Sequence, residues 1–265
     1  MILDVLADEA RERVRERQQQ VSADTVRRDA ETLEARQEKR NRAAEGFAAA
    51  LARPGLSLIC ECKKASPSKG LISPDFPYRE IARAYEEGGA AAISCLTEPR
   101  HFLGRDAYLQ EIARDVAIPV LRKDFTVDPY QIYEARTLGA SAVLLIAAIL
   151  TPSQLEEYRQ IAESVGLDAL VETHDAGEVE TALRIGAVLI GVNNRNLQDF
   201  TVDFETCLRL RGGIPDDRIC VAESGIRTPA DIRRLKEAGV QAALIGETLM
   251  RSRDIGATLR SFREA

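Results

Sequence analysis

Three observations predict a (β/α)8 barrel for this 265-residue chain. Eight short apolar runs recur from Leu56 onward. Amphipathic stretches of helical length separate them, and several of those stretches open on a capping residue followed by proline. Glycine recurs just before the next apolar run. The length suits one such barrel and leaves room for an extension.

The runs are 56–61, 90–96, 118–123, 141–147, 168–172, 187–193, 218–223 and 242–246. Their nearly continuous apolarity, without strict alternation, is what parallel strands covered on both faces show. Asp128-Pro129, Thr151-Pro152 and Thr228-Pro229 each supply an N-cap and a proline at the first helical position. Thr151 and Gln154 have the spacing of a capping box. Gly88, Gly139, Gly166, Gly186 and Gly239 suit left-handed positions that turn each helix back to the sheet. A doubly wound open sheet is the competing fold, but the chain has no G-x-G-x-x-G after its first strand.

Residues 1–52 read as an N-terminal helical extension and 56–250 as the barrel core of a single domain. The extension starts with a small apolar patch at Leu3, Val5 and Leu6. A long polar helical stretch follows through Arg42, and then the apolar segment Phe47 to Leu51, stopped by Pro54 and Gly55. This extension is either a solvated helix or a segment packed across a barrel mouth.

Apolar residues make up 45% and charged residues 29%, and the net charge is −6. That balance argues against a nucleic-acid partner, which needs a basic face. The N-terminus lacks the apolar stretch of a secretory signal, and the longest apolar run, Ala142 to Leu150, is too short for a membrane span. The five cysteines are scattered with no C-x-x-C pair, and His101 and His174 are the only histidines, so no zinc set is expected. A cytoplasmic protein with reduced thiols follows, either a monomer or a weak homo-oligomer.

Chemistry in a barrel sits where its strands end. Glu61 and Lys63, two apart, share one face of the first strand. Lys123 ends the third run, Glu172 the fifth, Asn193 the sixth, and Glu223 with Ser224 the seventh. Buried charges are costly unless paired, so three glutamates and two lysines gathered at one end point to a site. A lysine in such a pocket is expected to have its pKa lowered toward neutrality and to donate a proton, and a glutamate beside it to accept one. Gly225 and Gly246 place backbone N–H groups after the last two strands, where barrels hold phosphate. The turn from Ala65 to Gly70 adds hydroxyls and a cation. A sugar phosphate is the small-molecule substrate these residues predict.

The segments ECKKASPSKG (61–70), LRKDF (121–125), LVETHD (170–175), GVNNRNL (191–197), VAESGI (221–226) and LIGETLM (244–250) together resemble the indole-3-glycerol phosphate synthase family. The resemblance runs in order from about Leu56 to Arg251 and fits an N-terminal extension. It implies cyclisation of 1-(2-carboxyphenylamino)-1-deoxyribulose 5-phosphate to indole-3-glycerol phosphate, with loss of carbon dioxide and water and no cofactor or metal. Carried onto this sequence, it makes Lys123 the general acid and Glu172 its carboxylate partner. Lys63 lies near the substrate carboxylate, Glu61 and Asn193 orient hydroxyls, and Glu223 faces the anilino nitrogen. Ser66, Ser224, Gly225, Gly246 and Arg195 fall to the phosphate end. Phe102, Phe125, Leu144, Leu197 and Leu244 form the apolar wall around the aromatic ring. Glu247, where some members carry a hydroxyl residue, must turn its carboxylate away from phosphate. Two alternatives share the phosphate loops: phosphoribosylanthranilate isomerase, which lacks the ECKKxSPSKG turn, and a non-catalytic sugar-phosphate binder, which has no need of the lysines.

Overall fold

The computed structural model describes residues 2–39, 46–196 and 199–265. Eight strands form a closed, all-parallel barrel. They are β1 Ser57–Cys62, β2 Ala92–Leu96, β3 Val120–Lys123, β4 Ala142–Ile146, β5 Asp168–Thr173, β6 Leu189–Asn193, β7 Ile219–Glu223 and β8 Ala242–Ile245. Closure comes from β8 pairing with β1, Ser57 opposite Ala242. All eight expected runs are strands, with ends moved by one or two residues.

The barrel explains why the runs looked uniformly apolar. Alternate residues face opposite sides of a strand, and both sides here are buried. Ile59, Leu121, Leu144, Leu170, Val221 and Leu244 pack inside the barrel. Cys60, Cys62, Ile93, Val143, Val171 and Cys220 pack outside it, against the helices. This parity carries Glu61 inward and the cysteines outward. All five cysteines are free and buried.

The helix starts behave as their residues dictate. Asp128 accepts a hydrogen bond from Tyr130 N, and Thr151 with Gln154 forms a reciprocal capping box. Thr228 and Asp231 form a second box. One glycine assignment is corrected: Gly88 lies in the right-handed region, and its neighbour Gly89 takes the positive φ of 84°.

The N-terminal extension is also corrected. It is not one long helix but α1 Ile2–Gln20 and α2 Ala23–Lys39, followed by α3 Phe47–Leu51. Ser22 Oγ accepts from Thr25 N at 3.2 Å, which restarts the chain as a new helix. The part of the expected stretch at 40–42 lies outside the described residues. On α1, Leu3, Leu6, Ala7 and Ala10 follow helical spacing and join the apolar cluster inside the barrel. Val5 is exposed. So α1 lies across the mouth rather than in solvent.

Further along α1, Arg13 bonds Glu98 at 3.1 Å and Asp124 at 2.7 Å. Arg17 pairs with Asp106 and Glu134, and both also meet Arg122 of β3, at 3.1 and 2.7 Å. These contacts anchor α1 to the ends of β2 and β3.

Candidate functional site

The barrel's mouth opens into a cavity of about 450 Å³. Glu61 and Lys63 from β1 and the turn after it, Lys123 from β3, Glu172 from β5, Asn193 from β6 and Glu223 from β7 all line it. The ionisable groups thus come from alternate strands, which is how a (β/α)8 barrel builds one inward layer.

Lys123 is the hub. Its Nζ donates to Glu172 Oε2 at 2.9 Å and lies 3.4 Å from Glu223 Oε2. Lys63 Nζ bonds Glu61 Oε2. Burial works against the Lys123 ammonium, but the charges of Glu172, Glu223 and Glu61 outweigh it and raise its pKa above that of an ordinary lysine. This reverses the expectation of a lysine tuned toward neutrality: Lys123 is shielded as expected, but the charges around it are mostly acidic. Burial also opposes ionisation of Glu172, and Lys123 with His174 overcomes it, so that carboxyl sits well below the usual range. Glu223 goes the other way. Burial pushes it up, Lys123 opposes, and the nearby charges of Glu172 and Glu61 add to the rise, leaving it at about 8. Its Oε1 is buried with no protein partner among the described residues.

The expected phosphate end lies beside this cluster. Ser66, Arg195, Ser224, Gly225 and Gly246 line the same cavity. Ser224 and Gly225 take φ of 66° and 81°, a left-handed pair that turns the chain sharply after β7. Arg195 Nη1 donates to Ser68 Oγ at 3.4 Å and to Phe200 O at 3.2 Å, tying the loop after β6 to the loop after β1. Gly246 has a reason the sequence did not reveal. A Cβ there would run into the Glu61 carboxylate and come within 2.9 Å of Lys63 Nζ, so any larger residue would have to displace the charge pair. Glu247 bonds Arg251 at 3.1 Å and lies 3.7 Å from Lys69, so its carboxylate is drawn toward two cations.

The apolar side of the cavity is formed by Phe102, Phe125, Leu144 and Leu244. The two rings stand 6.3 Å apart between centroids, inclined by 50°. Leu197 lies outside the described residues.

Several lining residues escaped the sequence reading. Ile2, Leu3 and Leu6 of α1 reach the cavity, as do Arg227 and Thr248. The apolar patch at Leu3 and Leu6 was visible, but periodicity names the buried face of a helix without naming what it meets. Glu98 and Asp124 organise the loops behind the aromatic wall. Glu98 accepts from the backbone N–H groups of Arg100, His101 and Phe102, and Asp124 from that of Phe125.

The family model for indole-3-glycerol phosphate synthase matches residues 6–262. The chain belongs to the indole-3-glycerol phosphate synthase family. The indole-3-glycerol phosphate synthase of Ruminiclostridium cellulolyticum is 51% identical over 263 residues, covering 99% of each chain. That of Endomicrobium trichonymphae is 51% identical and covers 100% of each. Among solved structures, 3-hexulose-6-phosphate synthase is similar at a TM-score of 0.63 and 14% identity, over 79% of this chain and 99% of that one. Thiamine phosphate pyrophosphorylase from Pyrococcus furiosus is similar at 0.61 and 18%, over 79% and 94%. At those identities the likeness concerns the barrel alone. The motifs that suggested indole-3-glycerol phosphate synthase all lie within the matched span.

Proposed function

We propose that the chain cyclises 1-(2-carboxyphenylamino)-1-deoxyribulose 5-phosphate to indole-3-glycerol phosphate, a lyase reaction releasing carbon dioxide and water. The single observation that carries the proposal is the arrangement around Lys123. One largely buried ammonium contacts the carboxyl groups of Glu172 and Glu223 in a cavity also lined by Phe102, Phe125, Gly225 and Gly246.

In this reading the anilino ring lies against an apolar wall made by Phe102, Phe125, Leu144 and Leu244, with Leu197 counted in the same wall. Ser66, Ser224, Arg195 and the backbone of Gly225 and Gly246 hold the phosphate. Lys123 Nζ donates a proton to the ribulose carbonyl oxygen as the carboxyl-bearing ring carbon attacks the carbonyl carbon. The new carbon–carbon bond then allows the carboxylate to leave as carbon dioxide, and the ring regains its aromatic electrons. Glu172, an anion beside Lys123, serves the following proton transfers as the hydroxyl departs as water. Lys63 pairs with the substrate carboxylate and serves in that dehydration. Glu61 and Asn193 orient hydroxyls. Glu223, neutral below about pH 8 in the free site, supports positive charge on the anilino nitrogen once it has given up its proton.

No cofactor enters these steps. The same reading takes the protein as one domain in which α1 completes the barrel mouth, cytoplasmic, and a monomer or weak homo-oligomer without a nucleic-acid partner. The experiment is direct: the purified protein, given that substrate in the presence of a chelator, should release an indole-fluorescent product. Binding of the substrate without indole formation would overturn the proposal.

A further inference from the structure

His174 lies outside the cavity and directly behind Glu172. Its buried Nε2 is 3.4 Å from Glu172 Oε1, an ion-pair distance, and has no other partner among the described residues. Its Nδ1 is 3.1 Å from Glu178 Oε2, and its backbone N–H donates to that same oxygen at 2.8 Å. The turn is fixed in place because Asp175 caps the helix Ala176–Arg184 by accepting from Glu178 N at 2.9 Å. The imidazole is therefore held between two carboxylates, one from β5 and one from this helix.

That placement selects a protonation state by geometry. A neutral imidazole has one N–H and one lone pair, so only one of its nitrogens can face a carboxylate favourably. The other would set lone pair against lone pair. With both nitrogens facing anions, the doubly protonated cation is the form that fits.

We propose that His174 is a positioning residue acting through Glu172: as an imidazolium anchored by Glu178, it keeps the Glu172 carboxylate ionised and turned toward Lys123. This rests on the reading that Lys123 and Glu172 carry the proton transfers. It also explains why two buried glutamates beside one lysine behave differently. The groups involved are Glu172 on β5, Glu178 on the following helix, Lys123 on β3, Glu223 on β7 and Glu61 on β1. Glu172 has cations on both sides, whereas Glu223 shares Lys123 and otherwise faces Glu172 and Glu61. Burial disfavours the His174 cation, but the nearby carboxylates of Glu172 and Glu178 outweigh that and raise it to about 10.

The chain has only two histidines, so nitrogen NMR of the full-length protein labelled at histidine can test this without reference to turnover. The His174 ring, assigned by its loss in His174→Gln, should show both nitrogens protonated at about pH 8, where a free histidine is neutral. A neutral-tautomer signature there would overturn the proposal. Glu178→Gln alters the anchor from outside the cavity and should lower the His174 titration toward that of free histidine. An unmoved titration would refute the two-carboxylate account even if His174→Gln fails to fold.

Kinetics supply the second arm. In His174→Gln the acidic limb of the kcat/KM profile should move up by about one pH unit, a loss of about tenfold on that limb. The gap should close once the pH clears the Glu172 limb, below the Glu223 titration at about 8, and KM should stay near that of the parent. His174→Arg, which keeps a cation behind Glu172, should restore much of the limb. A uniform drop at every pH would mean that the side chain is only structural, and would overturn the proposal. A protein that turns over no substrate but shows the imidazolium would overturn the reaction and leave the His174 state standing.

Discussion

The barrel carries two clusters of buried charge only one strand-face apart, and they are built differently. On the outer side, beneath α1 and reaching the cavity at Glu98 and Asp124, the cluster is made of arginines: Arg13, Arg17 and Arg122 meet Glu98, Asp106, Asp124 and Glu134. Each of those carboxylates has an arginine partner, and Thr97 Oγ1 and backbone N–H groups take further oxygens. On the inner side the cations are lysines, and Glu223 Oε1 and Ser94 Oγ are buried with no protein partner among the described residues. A guanidinium stays protonated and binds in a fixed planar fork, whereas an ammonium can exchange its proton. The outer cluster is saturated and holds two loops and a helix together. The inner one leaves bonding capacity for a ligand.

This contrast can be broken at either end. The largest effect is expected at Arg122→Met, which removes a buried guanidinium and leaves Asp106 and Glu134 paired with Arg17 alone. Unfolding by urea should show a loss of about 3–5 kcal/mol, typical of breaking a buried pair from one side. A loss under 1 kcal/mol would mean the outer cluster is not structural. Lys123→Ala should cost a hundredfold or more in kcat, as expected for a lost general acid. Activity within a few-fold of the parent would remove Lys123 from the chemistry.

The smallest effect, and the one that sharpens the contrast most, is at Glu223. Its carboxyl titrates at about 8, so it is neutral below and anionic above. If the anion is what the reaction uses, kcat/KM of the parent rises with pH through that value. Glu223→Gln stays neutral throughout. The gap between the two should be small at about pH 6 and grow to about tenfold above pH 9, and a gap independent of pH would contradict the assignment.

Most of the inner face was legible in the sequence, because a strand leaves little freedom. Once 57–62 is a buried parallel strand, the inward position of Ile59 sends Glu61 inward too, and the same parity sends Cys60 and Cys62 out. The helix starts were equally readable, since Asp128, Thr151 and Thr228 act on N–H groups within three residues. What the sequence hid was relational. Arg13 finds its partners 85 and 111 positions away, and nothing local announces them. The break at Ser22 was lost in a run of polar residues suited to a helix on either side. Lys123 was expected to have its pKa lowered because burial was legible, whereas the surplus of carboxylates around it depended on which strands close the barrel. The Gly88 assignment failed by one position, since either of two adjacent glycines can end a helix.

The buried thiols have a practical consequence. Cys60, Cys62, Cys95, Cys207 and Cys220 are all free and shielded, and burial pushes the thiols of Cys60, Cys62 and Cys95 further from the reactive thiolate. A maleimide dye offered to the folded protein would find no native site. One cysteine introduced at Ser68, on the exposed turn after β1, would therefore take a single fluorophore in an otherwise natural chain. The surroundings of that turn could then be followed by optical spectroscopy without first rebuilding the core.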